Sequence, residues 1–187
     1  MAAVHPSITE SLRNWIDAQP MFFVATAPLD TDGHVNVSPK GRDSLRVVDA
    51  GTVRYLDLTG SGAETAAHLA ENGRITVMFC AFEDPPRILR LFGWGETFVR
   101  GSDGYDRRVG DFPDVPRSAR AIVEVAVTRV QTSCGFGVPL MDLVSQRDRL
   151  VEWGDAKTDE GLADYWATKN ATSIDGLPSI SYSSVNG

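Results

Sequence analysis

Thr52-Val53-Arg54-Tyr55-Leu56-Asp57-Leu58-Thr59-Gly60-Ser61-Gly62-Ala63-Glu64-Thr65 passes from an alternating segment through a Gly/Ser/Thr turn into a helical one. Thr52 to Leu58 has the alternation of a strand. Ala63 to Asn72 reads as a short helix closed by Gly73. A turn of this composition at a helix N-terminus points backbone N–H groups outward. With the local hydroxyls and the helix dipole it suits a phosphate group. The same residues also serve as an ordinary connector, with Ser61 as the helix N-cap. The turn is neither G-x-G-x-x-G nor a Walker A sequence with Lys after its last Gly.

Outward from this unit the chain reads as short strands joined by turns. Ser7-Ile8-Thr9-Glu10 is a capping box, and Ile8, Leu12, Trp15 and Ile16 follow helical spacing until Gln19-Pro20, with Trp15 read as packing. Met21 to Ala27 is an apolar run, and Asp30-Thr31-Asp32-Gly33 is a hairpin turn. His34 to Ser38 alternates and is expected to turn at Pro39-Lys40-Gly41. Leu45 to Val48 and the Asp49-Ala50-Gly51 turn complete a hairpin with Thr52 to Leu58. Arg74 to Phe82 is apolar on both faces, as a central barrel strand is. Ile88 to Arg100 carries Gly93 and Gly95 as bulges or bends, and Ala121 to Gln131 puts Val123, Val125 and Val127 on one face. The spacing predicts a mainly β, α+β domain: a six- to seven-stranded antiparallel barrel with an N-terminal helix and one short internal helix. Two C-terminal helices follow, Met141 to Trp153 and Asp159 to Asn170, and then a polar tail, Ser181 to Gly187, expected to be disordered. A single domain is expected over residues 1–187, with the barrel at about 20–131 and a helical extension at about 138–180.

The chain has 187 residues, 42% of them hydrophobic and 23% charged, which suits one soluble domain with a sizeable core. A formal charge of −7 argues against a general nucleic-acid binder, whose affinity rests on Lys and Arg neutralising phosphates, and leaves room for a small local basic pocket. Of the two cysteines, Cys80 sits in an apolar strand and Cys134 in a glycine-flanked loop, so no C-x-x-C pair exists. The three histidines have no metal-ligand spacing. No secretory signal or membrane span is visible, and a reducing cytoplasm is the simplest compartment.

A second candidate site is Asn36-Val37-Ser38-Pro39-Lys40-Gly41. In a strand, Asn36 and Ser38 share a face. Lys40 offers a point charge suited to phosphate, and Gly41 allows close backbone approach. The alternative is a solvated Lys in a turn. Arg87 and Arg90 would face opposite sides of their strand, Arg90 either snorkelling outward or aimed into a pocket. Glu64 and His68, at i and i+4, read as a surface contact. No Ser-His-Asp signature, G-x-S-x-G elbow or H-E-x-x-H is present, a pattern found in enzymes whose cofactor carries the chemistry.

These motifs in this order resemble the pyridoxamine 5′-phosphate oxidase-like family. They are Asn36 to Gly41, Tyr55 to Gly62, Glu64-Thr65, Ala70-Glu71-Asn72-Gly73-Arg74 and Arg87 to Gly93. Cys134 to Pro139 and Ser173-Ile174-Asp175-Gly176-Leu177-Pro178 are similar to an uncharacterised branch of that superfamily. The resemblance implies an FMN-binding split barrel, a homodimer with two FMN sites at the subunit interface, and flavin-mediated hydride transfer. By position it implies cofactor contacts from Asn36, Ser38, Lys40 and Gly41, from Leu58, Thr59, Gly60, Ser61 and Thr65, and from Arg90. The chain departs from the oxidase itself: Glu64-Thr65 stands where an Arg-Lys pair is usual, and Ile88 where Gln is usual. The implied function is an FMN-dependent oxidoreductase of unassigned substrate, not pyridoxamine phosphate oxidation. The same fold also hosts F420 and haem binders, which is one alternative; the thin supply of acid/base residues equally fits a flavin carrier or ligand-binding module without turnover, which is another.

Overall fold

The computed structural model describes residues 2–179, so the Ser181-to-Gly187 tail lies outside the described residues. In chain order the elements are β1 (Ala3–His5), α1 (Glu10–Asp17), β2 (Met21–Thr26), β3 (Asn36–Gly41), β4 (Leu45–Asp49), β5 (Thr52–Leu58) and α2 (Glu64–Asn72). They continue with β6 (Arg74–Cys80), β7 (Ile88–Val99), α3 (Asp103–Asp106), a 3₁₀ turn at Val109–Asp111, β8 (Ala119–Ser133), α4 (Arg149–Asp155) and α5 (Asp159–Lys169). Hydrogen-bonded neighbours run β3-β2-β6-β7-β8-β5-β4, with β1 added to β8, and the named pairings are antiparallel. The sheet curls into a barrel whose end strands, β3 and β4, are joined by a tight turn but do not pair, leaving a split. Arg42 and Asp43 make that turn, both with positive φ (63° and 51°).

The inner face is apolar because strand alternation sends every second side chain there. Phe22, Val24, Val53, Tyr55, Val77, Phe79, Leu89, Leu91, Val123 and Val125 form this core, and α1 adds Leu12 and Ile16. Phe22 meets Tyr55 edge-on at 5.6 Å, and Trp15 packs edge-on against Phe79 at 6.4 Å, in the packing role expected of it. A bulge between Phe92 and Gly93 bends β7 where a Cβ at Gly93 would run into the Ala126 carbonyl. Gly73, at φ 71°, closes α2 in the left-handed conformation that favours glycine.

Four expectations change. The α1 cap is Thr9 rather than Ser7: its Oγ1 accepts the Leu12 N–H at 3.3 Å, while the Ile8 N–H is drawn to the Ala50 carbonyl. Pro39 does not turn the chain; β3 begins later, at Asn36, and runs through Pro39 to Gly41, because an edge strand tolerates a residue without an N–H. The helix expected from Met141 starts only at Arg149. The Met141 N–H goes to the Phe82 carbonyl, and Gln146 bridges Pro20 and Arg42, so tertiary contacts take these groups from a helix. α2 has Ala63 at its N-cap position with no side-chain cap, so Ser61 is not the cap.

Candidate functional site

The split opens as a cleft of about 590 Å³ lined by β3, the Leu58-to-Thr65 segment, β8 and the C-terminal turn. Asn36, Ser38 and Lys40 share the inner face of β3, since Ser38 lies opposite the core residue Val24. Lys40 reaches over the Tyr55 ring to Asp57 on β5, Nζ to Oδ1 at 2.8 Å. Arg120 donates from Nε to the other oxygen, Oδ2, at 2.8 Å and from Nη1 to the Gly62 carbonyl at 2.9 Å.

Arg120 was not singled out in the sequence. Asp57 pairs with Ala121 and Leu58 with Ala119, so Arg120 is the extra residue of a β-bulge, and the bulge re-aims its side chain. All three members of this group are largely buried. Burial opposes ionisation of Asp57, but Arg120 and Lys40 outweigh it and hold the carboxyl well below the usual carboxylate range. Lys40, Arg120 and Asp57 thus form one ion group at the cleft floor. Tyr55 beneath is pushed up by burial, and by the Asp57 charge after that, so it stays a neutral phenol.

The turn is held from behind by α5. Thr59 donates from both N and Oγ1 to the Ser118 carbonyl, each at 2.7 Å, and its Oγ1 accepts the Trp166 Nε1–H at 2.8 Å. Asn170 donates to the Gly60 carbonyl at 3.1 Å. The C-terminal turn closes the other side: Glu64 Oε1 accepts the Ile174 N–H at 3.2 Å, and Asp175 takes both the N–H and the Nδ1 of His34, at 2.8 and 2.6 Å. Ile174 lines the cleft, which places the Ser173-to-Pro178 motif at the site. The Glu64 carboxylate folds over Gly62, where it leaves no room for a Cβ.

Of the residues singled out in the sequence, Ser38, Lys40, Leu58, Gly60, Ser61 and Thr65 line this one cleft, and Asn36 stands behind Ser38 and Thr65. Thr59 lies beneath the turn, 2% exposed, with its hydroxyl committed. Gly41, at the far end of β3, packs against Gln146. Arg90 is on the opposite, outer face of the sheet, between Met78 and Gln131, with Nη1 3.3 Å from Ser133 Oγ. The expected Glu64–His68 surface contact does not form: His68 is fully buried against Thr26. Among the described residues, no group of three or more His, Cys, Asp or Glu could hold a metal, and no helix is long and apolar enough to cross a membrane.

The cleft's donor set suits a phosphorylated ligand: two cations sharing one carboxylate, the Ser61 and Thr65 hydroxyls, and the N-terminus of the nine-residue α2. Among the described residues that line the cleft, Glu64 is the carboxylate that opposes an anion.

A family model described as pyridoxamine 5′-phosphate oxidase matches residues 8–134. The chain is 41% identical over 199 residues to the pyridoxamine 5′-phosphate oxidase family protein ustO of Aspergillus flavus, across 96% of this chain and 78% of that one. A HupZ variant of Group A Streptococcus matches at 25% identity over 67% of this chain and 99% of its own, with a TM-score of 0.51. A solved structure from Lactobacillus delbrueckii, at 19% identity, 67% and 94% coverage and a TM-score of 0.52, speaks for the fold alone.

Proposed function

The chain belongs to the pyridoxamine 5′-phosphate oxidase family, and on that premise we propose that it is an FMN-binding oxidoreductase acting on a small molecule. The observation that carries this reading is the convergence of Lys40, Arg120, Ser61 and Thr65 on one cleft at the α2 N-terminus. Lys40 and Arg120 would hold the phosphate, their positions fixed by Asp57. Thr59, Trp166 and Asn170 would keep the turn in register, and Ile174 would shield the ligand from water. When bound, the flavin supplies hydride acceptance and donation; the chain supplies binding, orientation and hydrogen bonds.

A homodimer is part of the same proposal. On the outer face, Val37, Ala25, Thr76 and Phe92 lie in one row across β3, β2, β6 and β7, with Trp94 further along β7. Val37 is 61% exposed and Trp94 57%, an apolar face that a second copy would cover. Arg90 lies on this face and from there would reach toward the partner's cofactor.

The test is a titration of purified protein with FMN, followed by flavin absorbance and fluorescence quenching. Saturable binding of FMN in preference to F420 and haem is expected. A protein that binds no flavin would overturn the reading. Reduction of the bound flavin by a nicotinamide donor and reoxidation by an acceptor are expected of an oxidoreductase, and their failure would leave a carrier.

A further inference from the structure

Behind the cleft wall runs a chain of hydrogen bonds that no catalytic signature in the sequence announced. Ser38 Oγ lies 2.8 Å from Asn36 Oδ1. Asn36 Nδ2 lies 3.1 Å from Thr26 Oγ1 and 3.0 Å from Thr65 Oγ1. Thr26 Oγ1 lies 3.0 Å from His68 Nδ1. Thr26, Thr65 and His68 are buried.

Counting donors favours one direction for each link. An Asn amide has two N–H donors and one carbonyl oxygen. With Nδ2 toward Thr26 and Thr65, both donors are used, and the carbonyl takes the Ser38 proton. The reverse orientation leaves one part-buried N–H without a partner among the described residues. Thr26 oxygen therefore receives a proton from Asn36, and its own hydroxyl hydrogen goes to His68 Nδ1. The opposite assignment, an Nδ1–H donated to Thr26, strands the Thr26 hydroxyl hydrogen and leaves Nε2 a buried acceptor without a partner as well, so the balance favours a bare Nδ1 with the ring proton on Nε2, which has no acceptor among the described residues. Burial favours the neutral ring by lowering its pKa, against Asp175, Glu64 and Glu71, whose charges raise it. At the cleft, Ser38 has spent its proton and shows only lone pairs. Thr65 oxygen has accepted from Asn36, and its own proton has no acceptor among the described residues.

We propose that Asn36 and His68 set the hydrogen-bond polarity of the cleft wall, so that Thr65 is a donor and Ser38 an acceptor. Thr65 then serves the phosphoryl oxygens, and Ser38 takes an O–H or N–H from the rest of the ligand, a ribityl hydroxyl or the ring imide. Ser38 is thus not a phosphate ligand, and Asn36 and His68 are positioning residues. The ligand assignment rests on the FMN reading above; the polarity does not.

The first test needs no ligand. Nitrogen-15 spectra of the protein without flavin report which ring nitrogen of His68 carries the proton, the signal being assigned by its loss in His68→Gln. Protonation on Nε2 with a bare Nδ1 is expected, and a proton on Nδ1 overturns the polarity. The second test compares FMN with riboflavin, which lacks the phosphate. One hydrogen bond is worth about fivefold to tenfold in affinity. Thr65→Val is expected to weaken FMN by that factor and spare riboflavin, and Ser38→Ala to weaken both. Ser38→Ala weakening FMN alone overturns the assignment. A wild-type protein that binds neither flavin would sink the proposed function and leave the tautomer measurement to judge the polarity by itself. As a control against simple loss of folding, His68→Gln, whose side-chain oxygen can accept from Thr26, should retain FMN affinity within about threefold, and His68→Leu should lose it. Equal loss in the two, with both folded, counts against the role of His68.

Discussion

Arg120 Nε donates to Asp57 Oδ2 at 2.8 Å, inside a barrel wall where both side chains are almost wholly buried. Removing the carboxylate leaves Arg120 and Lys40 without their shared counter-charge, and breaking a buried ion group from one side costs about 3–5 kcal/mol. Asp57→Asn is therefore expected to lower stability by roughly that amount, read as a lower midpoint in urea denaturation at neutral pH.

The same carboxyl sets an acid limb. Arg120 and Lys40 hold its folded-state pKa below that of the unfolded chain, near about 3.9. A group depressed on folding contributes stability above the unfolded pKa and loses it as pH falls toward the folded value. Wild-type stability should thus decline from about pH 4 downward, and Asp57→Asn should show a shallower decline. Denaturant midpoints at pH 6, 4 and 3 for both proteins check this, and equal slopes would return the acid dependence to other carboxylates.

The Trp166 indole N–H reaches Thr59 Oγ1 from α5, more than a hundred residues further along the chain. Trp166→Phe keeps most of the packing and deletes this bond, at a cost of about 1 kcal/mol. Because Thr59 immediately precedes the Gly60-to-Ala63 turn, FMN affinity should fall as well. Isothermal calorimetry beside a thermal melt separates the two effects. A melt shift with unchanged affinity would show that α5 supports the barrel but not the cleft.

The strand–turn–helix unit and the barrel were legible because alternation, turn residues and Gly73 all pointed the same way. Pro39 misled, since a proline reads as a turn until the strand is known to be an edge. Met141 to Asp148 misled for another reason: the carbonyls and side chains that hold it, Phe82, Pro20 and Arg42, are remote in sequence. Arg120 was hidden by a bulge, which shifts a side chain's direction without leaving a periodic trace. His68 was read from its helix spacing to Glu64, whereas its real partner, Thr26, comes from a strand packed beneath that helix. Local pattern gives neighbours on one element; a site assembled from four elements is set by which strands pair.

The outer sheet face gives a test of assembly. Val37 pairs with Ala25 and stands beside it on the apolar row that ends at Phe92. Val37→Lys places a charge at the other end of that row, on the edge strand β3, and leaves the inner face untouched. Light scattering after gel filtration is expected to show a dimer for the wild type and a monomer for the variant, with the circular dichroism spectrum unchanged. A wild-type monomer would remove the second copy from the proposal.

Glu64 is the residue at which the cleft departs from a pure anion site. Its carboxylate covers Gly62 at the N-terminus of α2, where the helix dipole welcomes any negative charge and a bound phosphate would compete with it. The Ile174 N–H it accepts gives it a resting partner in the C-terminal turn. Glu64→Gln keeps an oxygen for Ile174 and deletes the charge. Relieving repulsion at a partly exposed helix terminus is worth about 0.3–1 kcal/mol, so FMN affinity should rise about twofold to fivefold. Riboflavin, without the phosphate, should be unaffected. The gain should shrink in high salt, because exposed charges are screened within about 10 Å at 0.1 M. A variant that binds FMN no better than wild type at low salt would place the phosphate away from this turn, and with it the cofactor's orientation in the cleft.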